Sequence, residues 1–260
     1  GDVRCNNAFG LLLMRRGQFE KAQSYFERAI ETLTKRNPNP YDGEPYYNLG
    51  CSLRFQSKPD EAYSAFYKSA WSAVWKDPAY FSIAQIDVMR KNWDAALENV
   101  EQSLLRNCHN HKARQLKASL LRKKGNTDEA LTWVKASLEI DRFNVGCLFE
   151  QYLLTHDEGL KKKIISLLQG NPHSYLEYAF DFAAAGLYEE AITQLEWAAE
   201  TAAHSNCVIA SCYSMSLRYV RKITRRSIIS VTSAMQSDNI RKPLRAGRNR
   251  LKSMTGFLPY

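Results

Sequence analysis

This 260-residue sequence has no long apolar segment, few glycines and prolines, and no closely paired cysteines. No run approaches the roughly 18–20 apolar residues that a helix needs to span a bilayer, so we predict no transmembrane segment. Its 12 Gly and 8 Pro, with 45% hydrophobic and 24% charged residues, are typical of a globular chain. This composition argues against a wholly disordered protein.

The cysteines are dispersed, and none belongs to a Cys-x-x-Cys pair. They are Cys5, Cys51, Cys108, Cys147, Cys207 and Cys212. This spacing is unlike that of a secreted disulfide scaffold and favours mostly buried thiols in a reducing compartment, so we predict a cytoplasmic protein. A signal peptide removed before residue 1 remains an alternative, since the sequence begins with Gly1, as a processed or excised fragment does.

The sequence also lacks the motifs that mark common catalytic and cofactor sites. It has no Gly-x-x-x-x-Gly-Lys-[Ser/Thr], Gly-x-Gly-x-x-Gly, Gly-x-Ser-x-Gly or His-Glu-x-x-His segment. Residues 107–111, NCHNH, bring Cys108, His109 and His111 together, but a second ligand pair at zinc-site spacing is missing. We therefore interpret this segment as a turn, and we predict a protein that is not an enzyme and holds no metal ion or cofactor.

One 13-residue pattern returns five times along the chain. Its copies are GQFEKAQSYFERA (17–29), SKPDEAYSAFYKS (57–69), KNWDAALENVEQS (91–103), GNTDEALTWVKAS (125–137) and GLYEEAITQLEWA (186–198). Each copy has an acidic residue at its fourth position, alanine at the sixth, a bulky apolar residue at the tenth, and Ala or Ser at the last. The five alanines are Ala22, Ala62, Ala96, Ala130 and Ala191, with separations of 40, 34, 34 and 61 residues.

Two successive intervals of 34 residues match the period of the tetratricopeptide repeat, a helix-turn-helix unit, and the chain resembles this family. Small residues lie twelve positions before each alanine, at Gly10, Gly50, Ala84, Ala118 and Ala179. Large apolar residues follow each alanine by four positions, at Phe26, Phe66, Val100, Val134 and Leu195. The resemblance implies an all-α fold in which tetratricopeptide-like helix-turn-helix repeats stack in a right-handed superhelix, an α-solenoid.

The spacing also predicts the domain organisation. We expect a repeat array over residues 1–204, with about five recognisable repeats and one degenerate repeat near 143–170 that accounts for the long last interval. The helices of that degenerate repeat are expected near 143–154 and 159–169, with Ile164 at the alanine position.

A basic segment follows at residues 205–260, where 11 Lys and Arg accompany a single acid, against 25 basic and 26 acidic residues before it. Three interpretations remain open. The segment is an atypical cap of the array, an arm for nucleic acid or another acidic partner or anionic surface, or the product of a shifted reading frame.

Residues 45–71 and 174–192 further resemble the tetratricopeptide region of large multidomain bacterial proteins that also carry β-sandwich domains of unknown function. This narrower resemblance implies an alternative function, in which the chain is an accessory module of a carbohydrate-active enzyme. Flanking coding sequence distinguishes this alternative, because it requires a further domain on the same chain.

The family resemblance implies a non-enzymatic scaffold for protein–protein interaction, whose concave face, lined by the first helix of each pair, binds a peptide or partner protein. By template position this face contains Asn7, Leu11, Tyr47, Arg54, Phe81, Gln85, Lys112, Gln115, Ser119 and Arg122. We assign partner binding to Tyr47, Arg54, Phe81, Gln85, Lys112, Gln115 and Arg122. Among these, Tyr47, Phe81 and Arg122 are predicted hot spots that can be replaced with little effect on stability, because aromatic residues and arginine dominate binding energies.

The C-terminal carboxylate of a chaperone is a disfavoured ligand. Relatives that bind it use lysine, arginine and asparagine at five set positions of the first helices, and here only Asn48 matches. The other four positions hold Asn7, Leu11, Pro78 and Ser82. Elsewhere in the sequence, Trp71 and Trp75 are interpreted as core between repeats.

Overall fold

The computed structural model describes residues 2–35, 37–40, 42–169 and 171–203, and every regular element within them is an α-helix. The helices are α1 Val3–Arg15, α2 Phe19–Thr34, α3 Glu44–Phe55, α4 Pro59–Ser69, α5 Lys76–Met89, α6 Trp93–Arg106, α7 His111–Lys123, α8 Thr127–Ile140, α9 Val145–Thr155, α10 Glu158–Leu168, α11 Pro172–Ala184 and α12 Tyr188–Ala203. The structure divides after Leu187 into two units, so α1–α11 belong to the first and α12 begins the second. The predictions for residues 205–260 lie outside the described residues.

Helices of the first unit pack in the order of the chain. Within a repeat, α1 packs on α2, α3 on α4, α5 on α6, α7 on α8 and α9 on α10. Each second helix from α2 to α8 also contacts the first helix of the next repeat. The prediction of an all-α array of stacked helix pairs is therefore confirmed. Helices α9 and α10 lie where the helices of the degenerate repeat were expected, and Ile164 is fully buried.

Close approach of paired helices depends on the small residues of the repeat pattern. A Cβ added at Gly10 would lie 2.5 Å from Cε1 of Phe26, and one added at Gly50 would lie 2.6 Å from Cε1 of Phe66. In the fourth repeat the small residue is Ala118 and the large one is Val134, and the two pack in one cluster. The volumes compensate, because the bulkier partner occurs where the facing residue is glycine.

A left-handed residue joins the two helices of each regular repeat. Its φ is positive whether or not the residue is glycine: Gly17 (71°), Ser57 (61°), Lys91 (62°), Gly125 (83°) and Gly186 (77°). Residues with a Cβ are strained in this conformation, whereas glycine adopts it without penalty. The two repeat copies that lack glycine thus adopt the same turn, and their Ser57 and Lys91 are conformationally strained there.

We expect Ser57→Gly and Lys91→Gly each to raise the free energy of unfolding by about 0.5–1 kcal/mol, because glycine removes the left-handed strain. Urea denaturation measures this change as a higher transition midpoint. The matched control is Ser64→Gly on the exposed face of α4, where glycine is expected to destabilise by roughly the same amount. Equal destabilisation at all three positions would show that the turn is not strained.

The segment 107–111 is a turn, as predicted, and Asp77 at the start of α5 holds it in place. The amide nitrogens of Asn107 and Asn110 donate to the Asp77 carboxylate at 2.9 and 3.0 Å. Asn110 also caps α7 by accepting from the backbone N–H of Ala113 at 3.1 Å. The backbone carbonyl of Cys108 accepts from Arg114 at 3.1 Å.

The interpretation of both tryptophans as core is wrong for Trp71. Residues 70–75 form a turn between α4 and α5, so the helical spacing on which the interpretation depended is interrupted. Trp75 is half-buried, with its ring centroid 5.0 Å from that of Tyr47, whereas Trp71 is 61% exposed.

The prediction of buried thiols holds for one cysteine of the four that the structure describes. Cys147 is buried, Cys51 is half-buried, and Cys5 and Cys108 are exposed, all four as free thiols. Burial raises the pKa of Cys147 to about 12, so this thiol stays protonated at neutral pH.

Among the described helices, none has the length and apolar character of a membrane span.

Candidate functional site

The predicted partner-binding residues lie on three first helices. Tyr47 and Arg54 are on α3, Phe81 and Gln85 on α5, and Lys112, Gln115 and Arg122 on α7. Five of them form what we call the first-helix face, namely Arg54, Phe81, Gln85, Lys112 and Gln115. Tyr47 and Arg122 have other partners.

Side chains of the first-helix face contact one another across repeats. The Nη1 of Arg54 donates to Oε1 of Gln85 at 2.7 Å, which joins α3 to α5. Burial lowers the pKa of the Arg54 guanidinium. Phe81, Gln85, Lys112 and Gln115 line one small cavity between α5 and α7. These five side chains therefore lie near one another on adjoining first helices, and their assignment to partner binding stays a prediction.

This surface is covered by the end of α11 and the turn that follows it. Arg54 donates through Nη2 to the backbone carbonyl of Ala184 at 3.0 Å, although the two residues are 130 positions apart. Lys112 donates to Asp181 at 2.7 Å. The cavity that remains, completed by Phe182 and Leu187, has a volume of only about 10 Å³, close to the minimum that one water needs. Residues 181–187 thus occupy the first-helix face.

Tyr47 is a core side chain on the evidence of its neighbours. Its ring centroid lies 5.4 Å from that of Phe66 and 5.0 Å from that of Trp75. Burial raises the pKa of its hydroxyl, and the nearby Cys51 contributes in the same direction. We expect its replacement to destabilise the array, contrary to the expectation from the sequence.

Arg122 forms an ion pair inside the array. Its Nε donates to Oε2 of Glu150 at 2.7 Å and its Nη2 to Oε1 at 3.2 Å. The hydroxyl of Ser119 donates to the same Glu150 carboxylate at 2.6 Å. The Glu150 side chain is completely buried on α9, while that of Arg122 is 18% exposed. Arg122 and Ser119 therefore tie α7 to α9.

The asparagines at the start of the array bind each other. Asn48 donates through Nδ2 to Oδ1 of Asn7 at 2.9 Å, and both residues are buried. The single residue that matched a chaperone clamp thus has an internal partner.

A second cavity, of about 170 Å³, opens beside the first-helix face between α7, the α8–α9 turn and α11. Its lining consists of His111, Lys112, Gln115, Asp141, Phe143, Asn144, Glu177, Tyr178 and Asp181. We call it the acidic cavity, because three carboxylates line it alongside one lysine. Burial raises the pKa of Asp181, and the hydrogen bond from Lys112 opposes this rise.

Sequence reasoning missed the residues that close these sites. Glu150 is a lone acid within the apolar run VGCLFEQYLL, and this pattern could have marked it as a buried charge. No sequence pattern of this kind marks Asp181 or Asn144. Their importance depends on contacts between α7, α9 and α11 that no local pattern encodes.

Family models match the chain in two places. One tetratricopeptide repeat model matches residues 3–32, and another matches residues 83–145. The first segment contains α1 and most of α2, and the second contains α6, α7 and α8.

Solved structures share the fold at low sequence identity. A tetratricopeptide repeat protein from Parabacteroides merdae is 14% identical with a TM-score of 0.56, covering 87% of this chain and 98% of that one. PilF from Pseudomonas aeruginosa is 12% identical with a TM-score of 0.54, covering 82% and 97%. A chain of the Cut9–Hcn1 hetero-tetramer of the APC/C is 14% identical with a TM-score of 0.52, covering 84% and 42%. These similarities concern the fold alone.

Proposed function

We propose that this chain, which is built of tetratricopeptide repeats, is a non-enzymatic scaffold that binds a peptide or partner protein on its first-helix face, in place of residues 181–187, and in the adjoining acidic cavity. One observation carries the proposal: the face already holds polypeptide. Arg54 binds the backbone carbonyl of Ala184, and Lys112 binds the Asp181 side chain. A surface that binds a main-chain carbonyl and a side-chain carboxylate has the chemistry to bind a peptide.

Selection from a random peptide library on the immobilised full chain tests this function. We expect selected peptides to slow hydrogen exchange in α5 and α7, the helices that carry Phe81, Gln85, Lys112 and Gln115. Lys112→Gln should weaken their binding about tenfold, as loss of a charged hydrogen bond does.

The control is Lys135→Gln, which removes the same charge from an exposed position on α8. Its affinity and melting temperature should equal those of the parent. Peptides that protect no amide of α5 or α7 would place binding elsewhere and refute the proposal. Tyr47 and Arg122 are unsuitable for this test, since both have partners within the fold.

A second role is supported by charge alone. Residues 205–260 carry 11 Lys and Arg against one Asp, and we propose that they contact an acidic partner such as nucleic acid. Such binding should weaken steeply between low and moderate salt, because each phosphate contact releases a counterion. Affinity for single-stranded RNA that is independent of salt would exclude this role.

The dispersed cysteines are our reason for proposing a cytoplasmic location.

A further inference from the structure

The acidic cavity has more negative than positive charge. Asp141 comes from the α8–α9 turn, while Glu177 and Asp181 come from α11. Lys112 pairs with Asp181 at 2.7 Å, and His111 approaches Asp141 only to 3.7 Å. Glu177 is exposed and makes no hydrogen bond or ion pair with the described residues. The carboxylates of Asp141 and Glu177 thus lack a close cationic partner.

A buried amide at the same cavity lacks an acceptor. Asn144 is 6% exposed and caps α9, where its Oδ1 accepts from the backbone N–H of Cys147 at 3.1 Å. Because the acceptor in that bond is the amide oxygen, the other amide atom of Asn144 is the nitrogen Nδ2. This Nδ2 has no hydrogen-bond partner among the described residues. A buried donor without an acceptor is unfavourable, so a ligand carbonyl at this position would be stabilised.

Aromatic rings flank the carboxylates. Phe143 is 55% exposed, and the guanidinium of its neighbour Arg142 lies 4.7 Å from its ring centroid, so this ring already contacts one guanidinium. Tyr178 lines the same cavity, and burial raises its pKa, as do the charges of Glu177, Asp181 and Asp141. A carboxylate beside an aromatic face suits a flat, delocalised cation better than a compact ammonium.

The volume and the spread of the carboxylates favour an organic cation over a metal ion. A cavity of about 170 Å³ has room for about five water-sized groups, at roughly 30 Å³ for each water of the liquid. This corresponds to the end of one long side chain. Within the residues that the structure describes, no three His, Cys, Asp or Glu side chains lie close enough to hold one metal ion.

From this geometry we infer that the acidic cavity binds an arginine side chain of the partner peptide, with the guanidinium between Asp141 and Glu177 and a peptide carbonyl on Nδ2 of Asn144. The inference rests on the proposed function and adds a specificity to it. The preferred ligand is a peptide with arginine at the position that enters this cavity, beside the part of the peptide that lies on the first-helix face.

The probe for this site is N-acetyl-arginine N-methylamide, which has one guanidinium and two peptide carbonyls. Added to the ¹⁵N-labelled full chain, it should shift the amide signals of residues 141–147 and 177–181 in a saturable way. The citrulline analogue keeps the length and both backbone carbonyls but has a neutral urea in place of the charged guanidinium, and it should bind at least about tenfold more weakly. Butylguanidinium, which lacks a carbonyl, tests the contribution of Asn144 and should also bind more weakly.

Two substitutions test the carboxylates. Glu177→Gln and Asp141→Asn each remove one negative charge, and the second keeps the oxygen that accepts from the backbone N–H of Phe143 at 2.9 Å. Combined, they should raise the Kd of the arginine probe at least about tenfold without lowering the melting temperature. Glu139→Gln is the matched control, because Glu139 is exposed on α8 and does not line the cavity.

Equal binding of the arginine and citrulline probes would overturn the inference, as would an equal loss of affinity in Glu139→Gln. Signal shifts confined to other parts of the chain would also overturn it. Failure of this site is distinguishable from failure of the proposed function. Library peptides that bind the first-helix face without arginine would refute only the cavity assignment, whereas a chain that selects no peptide at all would refute the scaffold function.

Discussion

Arg122→Ala is expected to lower the free energy of unfolding by about 3–5 kcal/mol, because it removes the charged partner of a completely buried carboxylate. Among the described residues, Glu150 would keep the hydrogen bond from Ser119. Urea denaturation measures the loss as a lower transition midpoint with an unchanged slope. Removing both charges, as in Arg122→Met with Glu150→Leu, should recover part of the stability, since the buried carboxylate is then removed together with its charged partner.

The control for Arg122 is Arg106→Ala, at an exposed position in the last turn of α6. This change should alter the free energy of unfolding by no more than about 0.5 kcal/mol. If Arg122→Ala melted like the parent but lost peptide binding, Arg122 would be a partner-binding residue, as its position in the repeat first indicated. The structure supports the opposite result.

Phe66→Ala should lower the free energy of unfolding by about 3–5 kcal/mol, because it empties the space between paired helices. The Phe66 side chain is fully buried in a cluster with Leu53, Ile83 and Ile86. Its ring also lies against Gly50, so it joins α3 to α4. Thermal unfolding followed by far-UV circular dichroism at 222 nm measures the loss.

A double-mutant cycle tests whether the ring fills the space that Gly50 leaves. Gly50→Ala alone introduces a Cβ 2.6 Å from the Phe66 ring. That overpacking costs about 1–3 kcal/mol, against a gain of roughly 1 kcal/mol in helix propensity. With Phe66→Val the added methyl fits, as in the Ala118 and Val134 pair, so the double variant should be more stable than Phe66→Val alone. Additive losses would contradict the pairing of these two positions.

Short-range pattern was sufficient to predict the repeats. The alanine spacing located the helix pairs because each pair buries one face by helical periodicity, which is written within about 34 residues of sequence. Gly50 and Phe66, at the small and the large positions of the pattern, are in contact. The common turn at Ser57 and Lys91 was less apparent, since only the backbone shows that both residues adopt the glycine conformation.

Partners on distant helices could not be predicted from the pattern. Template positions placed Tyr47 and Arg122 on a binding surface. In the structure the Tyr47 ring packs against Trp75, and Arg122 forms an ion pair with Glu150. Whether a polar first-helix residue faces a ligand or another part of the chain depends on how neighbouring repeats are arranged. The period of a repeat carries no information about that arrangement.

The sequence by itself determined that the described part of this protein is an all-α array of stacked helix pairs, and which small residues let paired helices approach each other. Only the tertiary structure decided that residues 181–187 cover the first-helix face, and that Asp141, Asn144 and Glu177 meet in one cavity. The physical reason is the range of the interactions. Helix pairing uses apolar contacts that recur within one repeat, whereas the contact of Arg54 with Ala184 joins residues 130 positions apart and requires several repeats to be stacked first.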